Sequence, residues 1–243
     1  MFLSKKDLIS IVDKNLEFEV IEIPNLGKYM LAYSNNSKNF TQKQKENFQI
    51  FDYDDDSIFI DDLDLIMYRG ECHGKKRLKS GNGNLTNELY HRGVNVLLIK
   101  DNHVFLPTRG DKDLYSGMTD FSISEHVKVG ERYKTASSRG FFEELRNHEN
   151  NPLIINEDEL KLYLNKTLRA QDQSEQVKYY TVDYRGNENI KLSNEVKGGK
   201  WYEISDLQNK LRTNGDLNGL NFRPDHLPAF ERFLQDYRGK LNG

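Results

Sequence analysis

Residues 122–147 read SISEHVKVGERYKTASSRGFFEELRN, and this stretch decides the fold. A Gly-Glu turn at Gly130 and Glu131 precedes a helical run predicted over residues 131–147, which carries Arg139, Glu143 and Glu144 within little more than one turn. Arg139 and Glu143 stand at i and i+4, so their side chains can pair on one helix face. Two adjacent carboxylates near a helix end offer hard oxygen ligands to magnesium or manganese. An exposed, salt-bridged helix would use the same residues, and taken alone the run leaves both readings open.

Working outward, HRGVNVLLI and HVFLPTR are β-rich runs joined by Lys100-Asp101-Asn102, a hairpin signal. VKYYTVDY reads as a strand with a turn at Arg185-Gly186-Asn187, and KWYEISDLQNKL as a strand passing into a helix capped by Ser205. The last helix has Leu227, Phe230, Phe233, Leu234 and Tyr237 at helical spacing. Trp201 is expected to pack in the core. Strands and helices mixed in this order predict an α/β (α+β) sandwich, a mixed sheet covered by helices.

Towards the amino terminus, LEFEVIEIP and NLGKYMLAYS read as two strands around a short turn, and TQKQKENFQIF as a helix with Thr41 at its N-cap. The acidic run DYDDDSIFIDDLD invites a calcium reading. An EF-hand loop, however, needs Gly and Glu where this chain has Ser57 and Leu63, so a solvated acidic turn is preferred. The Gly- and Asn-containing segment GKKRLKSGNGNLTN (74–87) is the natural boundary, giving a small α+β region at 1–80 and a larger domain at 86–243.

Bulk properties exclude several classes. With 35 basic and 38 acidic side chains the net charge is −3, which argues against a dedicated nucleic-acid binder. The single cysteine, Cys72, rules out an internal disulfide and a thiolate-rich zinc site. The start is too charged for a signal peptide, and no apolar run approaches a membrane span, so a cytoplasmic location is expected. His73, His103, His148 and His226 lack the spacing of a zinc site.

Glu131, Arg139, Phe141, Glu143 and Glu144 together resemble the Nudix box, G-x5-E-x7-R-E-U-x-E-E-x-G-U, where U is apolar. Glu125 and Gly140 stand where that pattern has its first glycine and the glutamate after the arginine, and Arg146 and Asn147 replace its closing pair. The surrounding His91-Arg92, Arg109, Lys112-Asp113, Gly117, Asp120, Ser122, His126, Gly130 and Glu131 resemble, in order and nearly in spacing, the isopentenyl-diphosphate-isomerase-like branch of that superfamily. The resemblance spans about residues 86–240.

The resemblance implies a Nudix α/β/α sandwich and metal-assisted attack of water on a diphosphate linkage, with Mg2+ or Mn2+ as cofactor. It assigns Glu143 and Glu144 to the metal, with Glu131 anchoring the loop or binding the metal directly. Glu175 becomes a further ligand or general base, Arg139 orients the carboxylates, and Arg109 and Lys112 contact the diphosphate. His126 becomes a metal ligand or a hydrogen-bonded neighbour of the site. The expected partner is a small diphosphate-linked molecule, such as a nucleoside diphosphate derivative, and a homodimer is compatible with it. Gly140 removes a family ligand, which keeps a second reading open: a binding module with reduced catalysis. The isomerase itself requires a cysteine where this chain has Ser124.

Overall fold

The computed structural model describes residues 2–11, 16–34, 39–45, 48–53, 56–68, 89–110, 115–169, 174–193, 196–217 and 219–238. Cys72, Lys112 and the 74–87 boundary segment lie outside them. In chain order the elements are α1 (Lys5–Ile11), β1 (Leu16–Ile23), β2 (Gly27–Ser34), α2 (Gln42–Lys45), β3 (Phe48–Tyr53), β4 (Asp56–Ser57), β5 (Phe59–Ile60) and β6 (Leu63–Tyr68). There follow β7 (Tyr90–Lys100), β8 (His103–Arg109), β9 (Ile123–His126), α3 (Tyr133–Glu144), β10 (Leu145–Arg146), β11 (Lys161–Arg169) and β12 (Ser174–Asp183). The last are β13 (Lys191–Leu192), β14 (Val196–Glu203), α4 (Ile204–Asn214) and α5 (Leu227–Asp236). The fold is mixed α+β with a large sheet core and few helices, and no described helix is long and apolar enough to cross a membrane.

The chain forms two compact units, the first comprising residues 1–93, 126–133 and 166–177, and the second 94–125, 134–165 and 178–243. In the first, strands run in the order β1-β2-β6-β3-β7. Asn25 and Gly27, with φ of 64° and 105°, turn the expected β1–β2 hairpin, whose register runs from Leu16↔Ser34 to Ile23↔Gly27. Thr41 does cap α2: its Oγ accepts from the Gln44 N–H at 3.3 Å while the Gln44 side chain accepts from Thr41 N–H at 2.8 Å. This is a reciprocal capping box.

Both faces of this sheet are buried. Leu8, Met30, Ala32, Phe51, Leu65 and Leu89 belong to one cluster, and Tyr29, Leu31, Tyr33, Phe48, Ile50 and Ile66 to the other. Burying each such side chain stabilises by about 1.5–3 kcal/mol, which explains strands apolar on both sides. Asp52, first of the acidic run, binds Arg92 in a fork, with Nε and Nη2 at 2.7 and 2.9 Å from its two oxygens. That carboxylate is committed to a partly buried ion pair.

In the second unit the strand neighbours are β14-β8-β7-β12-β11. Asp101 and Asn102 have φ of 47° and 61°, the paired positive values of a type I′ hairpin turn between β7 and β8. Ala136, Ser137, Gly140, Phe141 and Glu144 form the buried face of α3, and Ala229, Phe230, Phe233 and Leu234 that of α5. Trp201 is only half-buried; it packs edge-on to Phe105, stacks beside Tyr184, and donates its indole N–H to Glu188 O at 2.8 Å.

Three local expectations need correction. The run TQKQKENFQIF, expected as one helix, is helical among its described residues only over Gln42–Lys45, and Phe48 already opens β3. The helix predicted over 131–147 stops at Glu144, because Leu145 and Arg146 pair with Leu192 and Lys191 as a short antiparallel ladder. The Asn147 side chain then accepts from the Glu149 and Asn151 N–H groups and turns the chain. Nor is Ser205 the cap of α4: the cap position is Glu203, and the Ser205 hydroxyl donates to the Glu203 carboxylate at 2.5 Å.

Candidate functional site

Three metal-competent side chains meet in the first unit. Along β7, alternation puts His91, Gly93 and Asn95 on one face of the strand. His91 lies opposite Phe51 of β3 in the ladder, and its ring is 6.3 Å from that phenyl ring. Glu175 comes from β12 and His126 from the end of β9.

Nε2 of His91 is 3.0 Å and Nε2 of His126 3.6 Å from the same oxygen, Oε1 of Glu175. The imidazole rings lie 4.9 Å apart and are tilted by 31°. One ligand atom from each of the three residues falls within 4.8 Å of the others. His91 and Glu175 are buried, and His126 keeps 23% of its side chain exposed.

Burial by itself would raise the Glu175 carboxyl. The charges and hydrogen bonds of His91 and His126 overcome it and hold the group well below the usual carboxylate range. Gly93 adds the necessary space, since a Cβ there would crowd the Glu175 carboxylate.

The donor set fits a divalent cation. Ligand atoms about 2.0–2.2 Å from one ion sit roughly 3–4 Å apart, and the two nitrogen–oxygen separations, 3.0 and 3.6 Å, fall in that range. Two imidazoles with one carboxylate suit manganese, iron or zinc better than magnesium, whose preference is for oxygen. Without an ion the same three groups form a buried histidine–carboxylate network.

Other expected residues fall elsewhere. Glu131 closes its own loop: Oε2 accepts from the Lys128 N–H at 2.9 Å, and its N–H donates to Lys128 O at 3.0 Å. In the second unit Arg139 does pair with Glu143, at 3.2 Å, and also with Glu125, at 2.9 Å. Glu143 stays nearly half exposed. Glu144, by contrast, is buried, and lines a small pocket with Arg109, Asp120, Ser124, Phe121 and Val196. The structure thus brings together Arg109 and Glu144 on one hand, and Glu175 with the two histidines on the other.

Arg109 is not a bare cation. Its Nη1 lies 2.8 Å from Oδ2 of Asp120, which also receives Arg223 Nη1 at 3.4 Å. Arg223 turns its other donors on Asp225, at 2.7 Å each, while His226 Nδ1 sits 3.5 Å from Asp120 and 3.1 Å from the Asn95 amide. Burial opposes ionisation of Asp120, but His226, Arg223 and Arg109 pull its carboxyl far below the ordinary range. Sequence reasoning missed Arg223 and set His226 aside. Their one legible signal was a run of charged residues directly before an apolar helix.

No family model and no curated protein matches the chain. Among solved structures, a MutT protein from Methanosarcina mazei Go1 has 16% identity over 62% of this chain and 96% of its own, with a TM-score of 0.47. The chain is similar to Nudix-type structures. DR0079 from Deinococcus radiodurans has 22% identity over 58% of this chain and 81% of its own, with a TM-score of 0.42. A C. elegans Ap4A hydrolase, solved as a binary complex, has 17% identity over 60% of this chain and 98% of its own, with a TM-score of 0.37.

Proposed function

We propose that this protein is a divalent-metal-dependent hydrolase of a small diphosphate-linked molecule, of the Nudix type and with a degenerate box. The observation that carries the reading is the convergence of His91, His126 and Glu175, with both Nε2 atoms aimed at one carboxylate oxygen. These three residues would hold the metal, and manganese suits them better than magnesium. A bound divalent ion supplies charge neutralisation at phosphate oxygens and a water of lowered pKa.

The remaining roles fall to the protein's own groups. Glu131 keeps the loop after His126 closed through the Lys128 amide. Arg109, steered by Asp120, presents a guanidinium at the pocket it shares with Glu144, where phosphate oxygens would accept its hydrogen bonds. Glu144 offers that pocket a carboxylate for a phosphate-bound cation. Glu143 and Arg139 brace α3 against Glu125.

A second reading, a diphosphate-binding module with little turnover, is favoured by Gly140, which leaves the helix without the carboxylate of the family pattern. One experiment separates the two. Wild type and Glu175→Gln are assayed with Mn2+ against nucleoside diphosphate derivatives and isoprenoid diphosphates, following phosphate or monophosphate release. Turnover abolished by Glu175→Gln supports the hydrolase. Saturable binding without release supports the module, and an isoprenoid diphosphate recovered as its double-bond isomer would point to the isomerase.

A further inference from the structure

The amino-terminal region grips the carriers of two of the three candidate ligands. His91 is held in register against Phe51 of β3, three residues along the strand from Phe48. His126 opens the segment 126–133, which is fastened at successive points. The Val127 N–H donates to Arg92 O of β7 at 2.9 Å, joining the two carriers directly, and the Val129 N–H donates to Phe48 O of β3 at 3.4 Å. The Val129 side chain packs into the cluster of Tyr29, Leu31, Tyr33, Phe48, Ile50 and Ile66. Leu26, in the β1–β2 turn, lies so close that a Cβ on Gly130 would meet its Cδ2 at 2.5 Å.

From this arrangement, and resting on the metal reading above, we infer that the amino-terminal sheet is a positioning element of the metal site: β7 and β9 pair directly, and β3 steadies the separation of His91 and His126 by holding β7 at Phe51 and the loop after His126 at Phe48. Its residues touch neither metal nor substrate. They act by keeping two imidazoles and a carboxylate at the spacing one cation needs, so the entropy of ordering the His126 loop is lost on folding rather than on metal binding. Linkage makes the effect reciprocal: a cation on the three ligands stabilises the sheet that holds them.

The test uses the full chain with Co2+ as probe, whose visible absorption reports its ligand geometry. Wild type should bind Co2+ with a band that Glu175→Gln abolishes. Val129→Ala, which thins the packing under the His126 loop, should weaken Co2+ binding about tenfold and alter the band, with faster amide exchange at residues 127 and 129. Leu26→Ala, at a turn position 44% exposed, should act in the same direction without threatening the fold. Val129→Ile should restore the wild-type band. Phe233→Leu, on the buried face of α5 in the second unit, should lower the melting temperature yet leave Co2+ affinity and spectrum unaltered.

Unaltered affinity and spectrum in both Val129→Ala and Leu26→Ala would overturn the positioning role and leave the metal site standing. So would an equal disturbance by Phe233→Leu. Absence of Co2+ binding by wild type, or binding indifferent to Glu175→Gln, would overturn the metal reading and the positioning role with it.

Discussion

A Cβ atom on Gly93 would stand 3.0 Å from Oε2 of Glu175 and 3.4 Å from Cγ2 of Val177. The bare backbone at that point is part of the room in which the carboxylate sits between its two imidazoles. Gly93→Ala should therefore push the carboxylate aside by a few tenths of an ångström. Mn2+ affinity should fall about tenfold, equivalent to about 1.4 kcal/mol. Calorimetric titration of the folded variant reads this directly, and an affinity equal to wild type would show that the carboxylate does not need the space.

Removing a ligand should cost more than crowding one. Glu175→Gln and His126→Ala should each weaken Mn2+ binding by more than about a hundredfold, beyond the usual effect of losing a group that merely orients a ligand. Chelation should then lower the wild-type melting temperature and leave that of Glu175→Gln unchanged. Saturating metal adds about 2.7 kcal/mol at a hundred times its dissociation constant. Identical melting with and without chelator in wild type would count against the site.

Gly140 is explained by packing. A Cβ at this position would run into Cγ2 of Ile123 on β9 and come within 2.7 Å of Cγ of Glu125. Ile123 is a fully buried, β-branched strand residue with little freedom to yield. Gly140→Ala should thus destabilise by about 1–3 kcal/mol, although in an open helix the same change would gain roughly 1 kcal/mol. Gly140→Glu, which would restore the carboxylate of the family pattern, should be worse still. Urea titration of both variants checks this; a stabilised Gly140→Ala would mean that α3 is free to lift from the strand.

Asp120 makes stability depend on pH with a definite sign. Its folded-state carboxyl is depressed, so its contribution is fully present above the unfolded value of about 4 and is lost as pH falls below it. Asp120→Asn leaves Arg109 and Arg223 facing an amide, and breaking a buried pair in this way costs about 3–5 kcal/mol. The gap between wild type and variant should be widest near neutrality and close progressively below about pH 4. Denaturant titrations at several pH values give the gap; one independent of pH would show that Asp120 contributes through shape alone.

Much of the architecture was written locally. The paired positive φ angles at Asp101 and Asn102, the capping box at Thr41 and the apolar face of α5 follow from residues a few positions apart. So does the Arg139–Glu143 pair, one helical turn apart. Glu175 was singled out from its place on the strand after the box, and His126 from its place before it.

Tertiary structure decided what depends on distant partners. Helix α3 ends at Glu144 because β13, more than forty residues later, pairs with the chain that follows it. His226 gave no spacing signal, since Asp120 and Asn95, to which it is joined, lie more than a hundred residues away. His91 and Glu175 are separated by 84 positions, and only the sheet that carries both strands brings their side chains to 3.0 Å. Sequence by itself determined which residues could serve as ligands and which turns and helices could form, because those are properties of a few adjacent side chains. Which ligands share an ion, and which glycine must stay bare, was left to the packing of strands on one another, since excluded volume and burial act between residues that meet only in the folded chain.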